Sequence, residues 1–306
     1  MKIYGAGMAG LLAANMLKRH SPIVHEKQKS LPNNHEALLR FRTNAVSIAT
    51  NIPFEEVLVH KGVYYDGKVH SAATLDMMNE YSHKVTGVIM PRSITNLKSE
   101  KRFIAPANFI EQLATGVEIE FESEFRAIDP EPHEVIISTI PMTKMIGILG
   151  MDADDMLFDW QPIWVKTWML PKCNVHQTIY FPDEAEPYYR ASISGERLMV
   201  EYVTDPSNML MYDDLERVGT AFGFKLNPIG PMICTKQTFG KLLPLDDKVR
   251  KKIMRDLTEH YNIYSLGRFG TWRQILLDDV VKDIMVIDKL IDDDSPYNRA
   301  LHEARK

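Results

Sequence analysis

The chain begins with a short apolar run, a glycine-rich turn, a long apolar stretch and a second apolar run. Residues 1–4 predict a minimal strand, 9–19 an apolar helix and 22–26 (Pro-Ile-Val-His-Glu) a second strand, giving a β-turn-α-β order. The segment after it starts polar, and Leu38-Leu39-Arg40-Phe41-Arg42-Thr43 fits either a strand or a turn of helix. Residues 62–70 read as a hairpin, because Asp66-Gly67 lies between short alternating segments, and 73–81 read as helical. The stretch 52–100 has the look of an insertion. Beyond it come a helix at 107–114, an alternating strand at 117–121, and Glu134-Val135-Ile136-Ile137-Ser138-Thr139-Ile140-Pro141, a buried parallel strand ended by proline.

From about 160 to 240 aromatic and β-branched residues dominate, with apolar segments at 164–170, 178–181, 188–193 and 197–203. This predicts antiparallel sheet with one helix at 212–222. Helical periodicity returns at 246–260, then a short strand at 263–268 and a long helix starting near Leu277. The expected class is α/β: a Rossmann-like nucleotide-binding domain from 1–51, 101–150 and 245–306, and an α+β second domain from 52–100 and 151–244 whose sheet is mostly antiparallel.

Composition narrows the partners. Of 306 residues 45% are hydrophobic and 25% charged, which suits an ordinary globular chain, and a net charge of −5 leaves no electrostatic footprint for nucleic acid. The acidic residues are spread out except for Asp292-Asp293-Asp294. Cys173 and Cys234 have no metal-ligand spacing, so neither a metal site nor a disulfide framework is expected, and a cytoplasmic setting fits. Lys2 and the apolar stretch 3–17 imitate a signal peptide, but three glycines at fixed offsets suit export poorly. No other stretch approaches the ~20 apolar residues of a membrane span.

The chemistry sits first in Gly5-Ala6-Gly7-Met8-Ala9-Gly10. A pyrophosphate needs bare N–H groups at a helix start and a backbone that turns sharply and comes close, which glycine permits. Glu26 follows Gly5 by 21 residues, the place for an acid that accepts hydrogen bonds from ribose hydroxyls. That pattern alone serves NAD and FAD equally.

Three more stretches decide between them: the 134–141 strand with its Thr139-Ile140-Pro141 end, Ile179-Tyr180-Phe181-Pro182-Asp183 with Pro187-Tyr188-Tyr189-Arg190-Ala191-Ser192, and Gly267-Arg268-Phe269-Gly270-Thr271-Trp272-Arg273 followed by Asp278-Asp279-Val280-Val281. Together with the glycine turn and Glu26-Lys27, they resemble the FAD-binding family that contains the amine oxidases, protoporphyrinogen oxidase and, nearest in pattern, UDP-galactopyranose mutase. The resemblance implies FAD as cofactor, with contacts from Gly5, Gly7, Met8, Ala9, Gly10, Glu26, Lys27, Thr139, Pro141, Gly267, Arg268, Leu277, Asp278 and Val280. It implies a phosphate contact from Arg40 or Arg42, with Arg42 preferred. Two departures stand out. Asn33-Asn34-His35 occupies the place of the family's Gly-Gly-Arg or Gly-Gly-Asn element, and Leu276 that of the mutase's acidic residue.

Three functions follow as expectations. The first is an oxidoreductase that takes hydride from an amine or related small molecule, with Trp164, Tyr180, Tyr189 and Trp272 as an aromatic cage. The second is a mutase-like isomerase of a nucleotide-linked sugar, with Arg190 and Arg268 as a diphosphate clamp. The third is a nucleotide-binding protein without chemistry. Arg190, Arg268, Tyr189 and Trp272 are the catalytic candidates, and no feature sets the oligomeric state.

Overall fold

The computed structural model describes residues 1–32, 40–127, 134–151, 158–207 and 211–293, with backbone only at 211–214. Two sheets organise it. The first is parallel throughout, with β1 (Lys2–Tyr4), β2 (Ile23–Glu26), β7 (Glu118–Phe121), β8 (Ile136–Ser138) and β14 (Ile263–Ser265) in the order β14-β8-β1-β2-β7. Numbered as the chain visits them, this is 3-2-1-4-5, the doubly wound nucleotide-binding order, and it reverses between β1 and β8.

Helices cover both faces of this sheet, which is why β8 and β14 are buried along their length, whereas the edge strand β7 alternates and is largely exposed. On one side α1 (Met8–Met16), α4 (Phe109–Ala114) and α9 (Leu277–Asp293) pack with Ile3, Leu11, Leu12, Val24, Phe109, Val280 and Ile284. On the other, α5 (Met142–Leu149) and α7 (Asp247–Tyr261) pack with Tyr4, Ile136, Met145, Ile253, Leu257 and Ile263. The helix α1 is apolar around its circumference because it lies between the sheet and both α4 and α9. Leu11 and Leu12 are fully buried there, each contributing about 1.5–3 kcal/mol.

The second sheet contains β3 (Arg40–Phe41), β4 (Glu55–Tyr65), β5 (Lys68–His70), β6 (Glu100–Ile104), β9 (Trp160–Met169), β10 (His176–Tyr180), β11 (Tyr188–Ser194), β12 (Arg197–Tyr202) and β13 (Ile233–Leu242). Its order is β13-β9-β12-β11-β10-β4-β6-β3, with β5 paired to β4. Every pairing is antiparallel except β4 with β10. One face carries α6 (Met211–Phe222) over Trp168, Ile179, Phe181, Tyr188 and Tyr202. Part of the other lies under α3 (Leu75–Thr86), where Met77 and Tyr81 meet Val63, Val165, Tyr180 and Tyr189.

The α/β class and the mostly antiparallel second sheet match expectation, and so does the hairpin, with Asp66 and Gly67 at φ 48° and 70° between Tyr65 and Lys68. The stretch 52–100, expected as an insertion, is part of the second sheet. Its strand β4 pairs with β5, β6 and β10 and holds the sheet together. The alternation that marks it, Val57 and Val59 inward with Glu56, Leu58 and His60 outward, escaped the reading of the sequence. Arg40–Phe41 and Glu100–Ile104 also pair into the second sheet. Among the described residues no helix is long and apolar enough to cross a membrane.

Candidate functional site

Open parallel sheets bind ligands beyond the carboxyl ends of strands where the order reverses, here β1 and β8. Gly5 leaves β1 at φ 103°, and a Cβ there would stand 2.2 Å from Thr139 Oγ1. Thr139 cannot yield, because its N–H and hydroxyl both donate to Tyr4 O, at 3.0 and 2.9 Å. Gly10 is equally constrained, its Cβ falling 2.0 Å from Gly5 O. Gly7 is different. It has φ −73°, and nothing lies within 4 Å of where its Cβ would be. It opens α1 with no side-chain cap and no acid in the first turn, and the N–H groups of Gly7, Met8 and Ala9 meet no acceptor among the described residues. Bare donors at a helix start, with open room before a glycine, fit an anionic group such as pyrophosphate.

Glu26, 8% exposed at the end of β2, accepts from Ala6 N–H at 2.8 Å and Gln28 N–H at 3.0 Å. It thus braces the glycine turn as well as offering its remaining acceptor capacity to sugar hydroxyls. The far end of the chain returns to the same place. After β14, the short helix α8 (Gly267–Gly270) begins with Gly267 at φ 77°, where a Cβ would stand 2.9 Å from Ala9 Cβ. A Cβ on Gly270 would stand 2.8 Å from Ser138 O. Asp278, 5% exposed, accepts from the N–H groups of Arg42 and Thr43, each at 3.1 Å, and from the Thr43 hydroxyl at 2.7 Å. Arg42 itself pairs with Asp279 at 2.9 Å. The α2 helix (Ala45–Thr50), which follows this clip, packs on α9.

A second group of polar residues lies on the α3 side of the second sheet. Tyr188 pairs with Tyr202 and Arg190 with Glu201, leaving Tyr189 as the extra residue of a bulge. The bulge turns Tyr189 and Arg190 to the same side, and both reach Glu201: Tyr189 OH donates at 3.0 Å and Arg190 Nη2 at 2.7 Å, and Arg190 Nε also donates. Burial works to raise the Glu201 carboxyl, but Arg190 outweighs it and holds it below the ordinary range. Lys241 Nζ lies 5.0 Å from the Tyr189 ring centre, and Arg268 Nη2 donates to Gly240 O at 2.8 Å. Burial and the nearby Arg190 lower Lys241 to about 7 against the pull of Glu201. Among the described residues Arg92 donates to hydroxyls alone, those of Ser82 and Thr86. Arg40 donates to Thr178 Oγ1 at 2.9 Å and Ile193 O at 2.5 Å, and its buried Nε has no partner among the described residues. Burial and Arg190 lower it to about 9.

The structure therefore brings Tyr189, Arg190 and Arg268 together, and separates the rest of the expected cage. Trp272, 2% exposed, sits among Phe158, Trp160 and Phe239 with ring centres 5.0–6.1 Å away. Trp164 packs on the opposite face of the sheet from Tyr180 and Tyr189, because its neighbours Ile163 and Val165 take the inner positions of β9. Val280 and Leu277 pack into the core beneath α9, so their side chains dock the helix. Lys27 is exposed, Pro141 caps α5, and Asn33-Asn34-His35, Leu38, Leu39 and Asp294 lie outside the described residues.

Glu201, Lys241 and Arg92 were not foreseen. The signal for Glu201 was a charged residue inside Leu198-Met199-Val200-Glu201-Tyr202, since a buried charge needs a partner. For Lys241 it was the adjacent Gly240, which marks the irregular pairing of β13 with β9. A shallow depression lined by Ala14, Lys18, Pro22 and Glu118 opens at the amino ends of β2 and β7, the wrong edge of the sheet for a dinucleotide.

Fold and site together define a two-sheet α/β protein whose first sheet is doubly wound and parallel. No family model and no curated protein matches the chain. Among solved structures it is similar to a protein from Pyrococcus furiosus at 11% identity, over 97% of this chain and 99% of that one, with a TM-score of 0.58. It is also similar to an oxidoreductase from Methanosarcina mazei (10% identity, 94% and 100% covered, TM-score 0.53) and to a flavoprotein/dehydrogenase from Cytophaga hutchinsonii (13% identity, 93% and 74% covered, TM-score 0.50). At these identities the likeness is one of fold.

Proposed function

We propose that this chain binds FAD and works as an FAD-dependent oxidoreductase, its substrate meeting the flavin on the inner, α3-covered face of the second sheet. One observation carries the reading: the room before Gly7 and the bare first turn of α1, closed over by Gly267 at Ala9. Return of the C-terminal segment to the glycine turn favours FAD over NAD, and the Methanosarcina and Cytophaga proteins, described as an oxidoreductase and a flavoprotein/dehydrogenase, are in keeping with it. Residues 1–51, 101–150 and 245–306 would form the FAD-binding part and 52–100 and 151–244 the substrate part, with residues 40–41 and 101–104 lent to the second sheet.

Bound FAD supplies hydride acceptance, and the protein's share is binding, orientation and exclusion of water. Gly7, Met8 and Ala9 receive the pyrophosphate, and Glu26 the ribose while it holds the turn. Tyr81, Tyr180 and Tyr189 pack as a buried layer beneath α3, and the half-buried Arg268 and Lys241 front the substrate side. Two finer expectations lose support here. Arg190 is engaged by Glu201, so a diphosphate clamp lacks one arm, and an ammonium substrate would face Arg92, Lys241 and Arg268.

Adding FAD to the purified chain and removing the excess tests this. A visible flavin spectrum at one FAD per chain is expected, followed by anaerobic bleaching with a substrate. A chain that neither retains nor rebinds FAD contradicts the reading.

A further inference from the structure

The inner face of the second sheet is unevenly charged. Arg190, Arg268 and Arg92 all act electrostatically on Lys241, and Glu201 is the carboxylate that opposes them. Glu201 is committed, since it takes both Arg190 and the Tyr189 hydroxyl. Among the described residues the other three cations make no ion pair: Arg268 donates to Gly240 O, Arg92 to the Ser82 and Thr86 hydroxyls, and Lys241 makes no hydrogen bond. Holding like charges together in a recessed place is costly unless an anion joins them.

What lies under the cations says what kind of anion. Tyr81 and Tyr180 stand edge to face with ring centres 5.4 Å apart, Tyr189 is tilted 6.2 Å from Tyr81, and Met77 and Met199 pack with them into a buried apolar layer, over whose Tyr189 ring Lys241 Nζ sits. Cations backed by such a layer suit the weakly hydrated carboxylate of an organic acid better than a heavily hydrated phosphate dianion.

We propose that the half-buried cations of this face receive an organic carboxylate, held by Lys241 and Arg268 with Arg92 behind them. This substrate class belongs to the flavoenzyme reading above and rests on it. Arg268 is the link, because it follows β14 of the first sheet and bonds to β13 of the second, so a carboxylate gripped there lies where the two sheets meet. The groups facing Lys241 are Tyr189 and Arg190 of β11, Glu201 of β12, Arg268 of α8 and Arg92 beyond α3. With Lys241 lowered to about 7, the protonated form that binds an anion prevails below that pH and is lost above it. Carboxylate affinity therefore falls by about tenfold between pH 6 and pH 8 if the neutral lysine contributes nothing.

Isothermal titration of the FAD-loaded chain with benzoate, benzylamine and inorganic phosphate tests the assignment. Benzoate is expected to bind and benzylamine not to. Lys241→Met and Arg268→Gln should each weaken benzoate at least tenfold at pH 6, and Lys241→Met should flatten the pH dependence. Arg92→Gln, farther from the sheet contact, is a second variant should Arg268→Gln misfold. Benzylamine binding as tightly as benzoate, phosphate binding more tightly, or Lys241→Met binding benzoate like the parent would overturn the carboxylate site. FAD retention is read separately from visible absorbance: absent flavin contradicts the cofactor reading, and bound flavin without a benzoate response contradicts this one.

Discussion

Replacing Gly7 by alanine separates ligand binding from folding in a way that the other two glycines of the turn do not permit. At φ −73° alanine is unstrained, and its Cβ would meet nothing within 4 Å. Alanine is a poorer helix cap than glycine by about 1 kcal/mol, and stiffening the unfolded chain returns about 0.4–1 kcal/mol. The net loss is thus about 1 kcal/mol or less, a shift in Tm of no more than about 4 °C. For FAD the methyl would fill the room assigned to pyrophosphate, and loss of the close approach should weaken binding at least about tenfold, or 1.4 kcal/mol. Gly5→Ala behaves otherwise. With φ 103° and a Cβ 2.2 Å from the tethered Thr139 Oγ1, backbone strain and overpacking together cost about 2–6 kcal/mol. Thermal melts of the FAD-free chains, beside equilibrium titrations with FAD, separate the two effects. A Gly7→Ala chain that binds FAD as tightly as the parent would refute the assignment of the pyrophosphate.

Glu26→Gln puts an amide where Ala6 N–H and Gln28 N–H both need an acceptor; a stability loss of about 1–3 kcal/mol in urea melts is expected together with weaker FAD retention. Asp278→Ala strips the acceptor from Arg42 N–H and Thr43 N–H and should cost about 2 kcal/mol by the same measurement, loosening the clip between the 42–43 turn and α9. Glu201→Gln leaves Arg190 without its charge partner, and since 30% of the Arg190 side chain is exposed the loss should be about 1–2 kcal/mol. The folded Glu201 carboxyl is held below its ordinary range, so its stabilisation is present above the unfolded value, near 4.5, and disappears as pH falls through the folded value. Melts of Glu201→Gln should accordingly show a shallower acid dependence than the parent.

The first sheet was legible because local pattern and chemistry agree there: the glycine offsets, the apolar helix and Glu26 are all within 26 residues, and each is forced by backbone sterics or burial. Gly267 was legible as a motif, but its reason, contact with Ala9 across the whole length of the chain, is tertiary. The second sheet was read correctly in kind and poorly in membership. β3 has two residues and the β4–β10 pairing joins strands far apart in sequence, so no local period announces either. The inner-face cluster was hidden for a similar reason. The bulge at Tyr189 breaks the alternation that would otherwise send Tyr189 and Arg190 to opposite faces, and Lys241 and Arg268 become neighbours only when β13 meets α8. Trp164 shows the reverse error, an aromatic placed in the site by residue type and removed from it by strand parity.

A crystal structure of the chain with FAD tests the cofactor site. Pyrophosphate is expected against the N–H groups of Gly7, Met8 and Ala9, ribose hydroxyls at Glu26, and the flavin ring beside Gly267 and Arg268. A dinucleotide bound away from Gly7, or a chain that takes up none at saturating FAD, would contradict it.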